Sequence, residues 1–237
     1  IYVIILPTQF LFLLLGGLIM NISLPAKNLR TKNFLIKDGI LYLRYGQSFE
    51  DIIYAVTYYM KGRRRCYYCK KQFTRDQITM DHMYPRDTGG PTIPQNLIPA
   101  CRGCNHKKAN MTYEQFLEFS TLPTKEEQRA YRLTLNAFKE GLRSIGMFEI
   151  PNTWITPVKV NEIHTRIDFA NISEKKYKQQ KDYYEKYHQF QRPIVLDRNL
   201  YSLDGFYVLF VAKSCELKYV PAIVLDNVEI RRSSSEV

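Results

Sequence analysis

Two Cys-x2-Cys pairs, Cys66/Cys69 and Cys101/Cys104, constrain this chain more than any other feature. Knuckles of that spacing can close one tetrahedral site, and soft thiolate ligands favour zinc over Mg2+. Iron accepts the same ligands, so the spacing leaves it open. With all four positions filled by protein the ion has no free coordination position, and it is expected to be structural. The stretch from 72 to 110 is dense in Gly, Pro, Asn and His and poor in long periodic runs. A segment of that kind buries too little apolar surface to hold itself, so a metal staple is needed. Cys215 stands apart from the pairs. This usage suits a reducing, cytoplasmic setting better than a secreted disulfide framework.

The charge balance narrows the partners. Lys and Arg number 34 against 23 Asp and Glu, a net charge of +11. Such an excess favours a polyanion, either nucleic acid or an anionic membrane face. Residues 61–71 hold Lys61, Arg63, Arg64, Arg65, Lys70 and Lys71 with no acidic residue among them. Placed around the first cysteine pair, the cluster is either a solvated loop or a phosphate-facing knuckle. It reads backbone charge and not base sequence. With 45 % hydrophobic residues in 237, the chain can build an ordinary core, as one large or two small domains. The 18 tyrosines suit packing and base stacking alike.

Along the chain the pattern divides into six stretches. Residues 1–20 are an apolar leader, reaching membrane-spanning length only if Pro7, Thr8 and Gln9 are counted. We expect a buried strand pair there, or sequence ahead of a start at Met20, with a membrane-tethered form as the minority reading. Residues 21–60 read as a hairpin around Lys37-Asp38-Gly39 and a helix from Phe49 with an acidic first turn. Residues 61–112 form the metal-stapled segment. Two helices over 113–146 follow, begun by Thr112 and by the capping box Thr124-x2-Glu127. Residues 147–190 are a linker region ending in a polar helix capped by Ser173. Residues 191–237 show strand, turn, helix and strand, a small α/β module expected to stand apart from the metal segment. The fold class is α+β.

The stapled segment holds Asp81-His82-Met83-Tyr84-Pro85-Arg86, then Gly89-Gly90, Asn96-Leu97, and Cys101-Arg102-Gly103-Cys104-Asn105-His106-Lys107-Lys108. On a strand, the adjacent Asp81 and His82 face opposite sides. This run resembles the HNH endonucleases, the ββα-metal (His-Me finger) nucleases, in their four-cysteine zinc form. The resemblance covers under a fifth of the chain. It implies a β-hairpin bearing Asp81 and His82, a loop containing Asn96, and a helix starting near Asn105. It also implies the roles. His82 is the general base that activates water, and Asp81 and Asn105 hold a catalytic Mg2+ or Mn2+. Asn96 steadies the loop and the imidazole. Carboxylate and amide oxygens suit such hard cations, and an ordinary imidazole pKa of about 6.5 suits a base at neutral pH. His106 takes the place of Asn105 if the register shifts by one.

The expected activity is divalent-metal-dependent hydrolysis of DNA phosphodiester bonds, with RNA left open as a substrate. Expected phosphate contacts are Arg63, Arg64, Arg65, Lys70, Lys71, Arg86, Arg102, Lys107 and Lys108. The alternative is a non-catalytic, zinc-containing nucleic-acid-binding protein. The C-terminal stretch has a weaker resemblance to the ParB/sulfiredoxin-like fold, through Arg192–Leu196, Leu203-Asp204-Gly205 and Val220–Val224. That family's Gly-x-His-Arg-like nucleotide motif is replaced here by Gly205-Phe206-Tyr207-Val208. The expected role of this module is therefore substrate positioning or partner contact.

Overall fold

The computed structural model describes residues 20–44, 46–61 and 64–231. The apolar run before Met20, and Arg63 of the basic cluster, lie outside the described residues. Among those described, no helix is long and apolar enough to cross a membrane.

The N-terminal sheet begins with β1 (Leu29–Arg30), β2 (Phe34–Lys37) and β3 (Ile40–Arg44). β2 and β3 form the expected hairpin, with Phe34 opposite Leu43 and Lys37 opposite Ile40. Its two turn residues, Asp38 and Gly39, both have positive φ, at 52° and 77°. That pairing suits the right-handed twist of a two-residue hairpin. Alternation then buries Phe34, Ile36, Leu41 and Leu43 on one face. Helix α1 (Phe49–Lys61) lays Phe49, Ile52, Ile53 and Val56 into the same core.

Next come β4 (Ile78–His82) and β5 (Leu97–Cys101), an antiparallel pair with Asp81 opposite Ile98 and His82 opposite Leu97. The short helix α2 (Arg102–Lys108) completes a ββα unit. It starts earlier than the resemblance implied, because Cys101 is its cap: the Cys101 sulfur accepts from the Cys104 amide at 3.4 Å. Helices α3 (Tyr113–Thr121) and α4 (Lys125–Ser144) follow, each opened by a capping box, Thr112/Gln115 and Thr124/Glu127.

The C-terminal sheet has the order β6 (Thr156–Lys159), β9 (Tyr219–Leu225), β7 (Ile194–Asp197), β8 (Ser202–Asp204). Helix α5 (Glu174–Tyr187), capped by Ser173, lies between β6 and β7 in the chain. Helix α6 (Phe206–Ser214) carries the chain between β8 and β9. The last strand, β10 (Val228–Arg231), pairs in parallel with β3 and so joins the N-terminal sheet. Alternation gives β7 and β9 two buried faces. Val195, Ile223 and Leu225 enter the core shared with α1, whereas Ile194, Leu196, Val220, Ala222 and Val224 pack around α6. Met20 extends this sheet through backbone bonds to Val224 and Asp226.

Candidate functional site

The four paired cysteines converge. Their sulfurs all lie within 4.8 Å of one another. The first knuckle is closed by the Lys70 amide bonding the Cys66 carbonyl, and the Tyr67 amide ties it to Pro99 on β5. Burial and the nearby sulfur of Cys66 push the Cys101 and Cys104 thiols up. Burial opposes ionisation of Cys66 too, but backbone amides outweigh it and bring that thiol down to about 7. Sulfurs this crowded cannot all ionise without a cation among them, and the donor set is the soft one that zinc takes. The residues fit a structural metal.

β4 displays its last two side chains on opposite faces, as its alternation requires. Asp81 faces α2 and is only 5 % exposed. Its carboxylate receives the Lys108 ammonium at 3.2 Å and the Tyr68 hydroxyl. Burial pushes the Asp81 carboxyl up, partly opposed by Lys108. Lys108 is 1 % exposed and also donates to the His82 carbonyl at 2.7 Å. Its expected phosphate contact is therefore corrected. This lysine points inward because a buried carboxylate needs a partner.

His82 faces the other way, toward α1. Its Nε2 is 3.0 Å from the Thr92 hydroxyl, and the Tyr54 ring meets it edge-on at 6.4 Å. Burial, followed by the positive charges of Arg86, Lys108 and Arg192, pushes the imidazole down to about 3. The ring is neutral across the physiological range. Arg86 and Arg192 share the Asp204 carboxylate, at 3.8 and 3.4 Å, and Arg86 also binds Glu50 at 2.6 Å. Arg192 comes from the C-terminal stretch, far from His82 in sequence, and no local motif announces it. Tyr54, Tyr68, Thr92 and Thr79 were likewise missed, since their types and spacing are ordinary.

Asn96 is fully buried and clamps the loop between β4 and β5. Its side chain accepts from the Tyr84 amide at 2.8 Å and donates to the carbonyls of Tyr84 and Pro91 at 3.0 and 2.9 Å. Within that loop Gly90 has no room for a side chain, because a Cβ would lie 1.9 Å from the Tyr84 oxygen.

Asn105 sits on α2 over β4 and donates from Nδ2 to the Thr79 hydroxyl at 3.0 Å. Thr79 passes its own proton to the Ala100 carbonyl at 3.2 Å, so it must accept from Asn105. This fixes the amide with Nδ2 inward and leaves the carbonyl oxygen available. Thr79 and Asp81 share one face of β4, so Asn105 and Asp81 flank the same surface. His106 is exposed. Carboxylate and amide oxygens are donors that hard divalent ions take. Lys108 competes with any such ion for Asp81. Of the basic residues, Arg64, Arg65, Lys70, Lys71, Arg102 and Lys107 are exposed, while Lys61 is spent on the Pro94 and Leu97 carbonyls.

Residues 66–119 match the family described as HNH endonuclease. This segment is an HNH-like nuclease domain. No curated protein matches the chain. Among solved structures, a Pnob8-like ParB-N domain is similar over 30 % of this chain and 28 % of its own length, at 19 % identity and a TM-score of 0.26. That is a weak likeness in fold, and this chain spans well under two thirds of that structure. In the HNH-like domain β4, β5 and α2 meet at the four-cysteine cluster: Cys101 ends β5 and caps α2, and Ile78 of β4 shares a small core with Cys66. Tyr68, itself in the first knuckle, carries that anchorage to Asp81.

Proposed function

We propose that this protein is an endonuclease that hydrolyses DNA phosphodiester bonds, with His82 as the general base. The observation that carries the reading is an imidazole held by Thr92 beside Arg86 and Arg192 within an HNH-like domain; a phosphate offsetting those two charges would raise its basicity toward the ordinary value. Thr92 on Nε2 orients the ring and leaves Nδ1 to take a proton from water. Arg86 and Arg192 offer planar guanidinium groups to the phosphate, exchanging their carboxylate partners for it. Asp81 and Asn105 would hold a Mg2+ or Mn2+ ion, which when bound polarises the phosphate and stabilises the leaving oxygen. Asn96 keeps the loop closed, so that Thr92 stays against His82. Zinc on Cys66, Cys69, Cys101 and Cys104 would hold the hairpin and α2 together.

A plasmid-nicking assay with Mg2+ or Mn2+ tests this reading. His82→Ala should lower the rate by about two to four orders of magnitude while zinc content stays unchanged. Equal cleavage by both proteins would end the assignment. One observation favours a second reading, a binding protein without catalysis: the Asp81 carboxylate is covered by Lys108 and Tyr68. That reading requires salt-dependent DNA binding with no metal-dependent cleavage.

A further inference from the structure

An open groove of about 1040 Å³ runs between α1 and the outer edge of β4. Tyr54, Tyr58, Tyr59, Met60, Arg75 and Met80 line it, and none of its lining residues is acidic among those described. Tyr59 is 50 % exposed. The Arg75 guanidinium lies over the Tyr58 ring, 5.0 Å from its centre. At the other end, Tyr54 meets the His82 ring, and Met80 is two residues before His82 on the same strand. The groove therefore runs from a cationic, aromatic mouth to Tyr54 and Met80, the neighbours of His82.

We infer that this groove binds an unpaired stretch of nucleic acid, its bases stacked on Tyr58 and Tyr59 and its backbone charge met by Arg75. The inference rests on the nuclease reading and adds the substrate class: a strand with exposed bases, such as a single-stranded segment, flap or loop. Aromatic side chains with an interleaved arginine make a sequence-tolerant stacking platform. Bases in a continuous duplex turn their faces to one another and cannot use it, so the geometry selects against intact double helix. The positive charge of the lining and of the whole chain fits a polyanion. A peptide strand added to the edge of β4 would leave both the tyrosine rings and the charge unused.

The test is binding of a fluorescent oligothymidine to the full chain without added Mg2+ or Mn2+, beside the same label on a duplex. The single strand should bind more tightly. Tyr58→Ala with Tyr59→Ala should weaken its binding on the order of tenfold or more, with little change for duplex, and the Phe versions should retain it. Tyr59→Ala alone, at an exposed position, should show part of the loss in a protein whose circular dichroism is unchanged. Duplex preference, or undiminished single-strand binding by the Ala variants, overturns the inference. Because no cleavage is measured, that failure is separate from failure of the His82 assay.

Discussion

Lys108 and Asp81 show how much one residue pair decides at the site. Both are almost fully buried and each neutralises the other. Removing one partner of a buried pair commonly costs about 3–5 kcal/mol, because the other charge is stranded. Lys108→Met should therefore lower the urea-unfolding free energy by about 3 kcal/mol, and Mn2+ should restore more stability to the variant than to the wild type. An equal response of the two proteins to Mn2+ would show that Lys108 and the ion do not compete. His82 gives a second prediction. Its folded pKa, about 3, lies below the ordinary 6.5, so between those values the unfolded chain binds a proton that the folded imidazole refuses. Stability should fall as the pH drops from 6.5 toward 3, by up to a few kcal/mol, and be free of this penalty above 6.5. His82→Asn should flatten that part of the pH–stability curve, as read by denaturant midpoints.

Among the elements, those with local signals were legible. Thr112, Thr124 and Ser173 cap their helices through side chains within a few residues, and Asp38-Gly39 carries its own turn chemistry. The cysteine spacing was legible in the same way, whereas Asp81-His82 and Asn96 were singled out through the resemblance they carry. The inward course of Lys108 was not legible, because an Asn-x2-Lys run on a short helix looks the same whether the lysine meets solvent or a carboxylate. The loop joining β4 to β5 is tightly specified. Gly90 leaves no space above Tyr84, and Asn96 takes up the backbone groups around it. Gly90→Ala should force the loop open, lowering the thermal midpoint by several degrees or more and weakening cleavage, whereas Gly103→Ala on the open side of α2 should be near neutral.

For the whole molecule, the pairing of β10 with β3 matters most, and it had no sequence signal because the partners lie at opposite ends of the chain. Together with Val195, Ile223 and Leu225 it gives the N-terminal sheet, α1, the nuclease loop and the C-terminal strands one common core. The same closure brings Arg192 to Arg86 and Asp204. A chain built this way should unfold in one transition. Fluorescence of Trp154, which packs on the shared core, and far-UV circular dichroism should follow the same denaturation curve. Two separated curves would mean that the C-terminal strands fold independently.

β7 places Ile194 and Val195 in different interiors, one toward α6 and the other toward the hairpin and α1. Deleting a single residue ahead of this strand would turn it inside out, sending each side chain to the neighbourhood built for the other. Insertions and deletions in this stretch should accordingly be tolerated only where they preserve its parity.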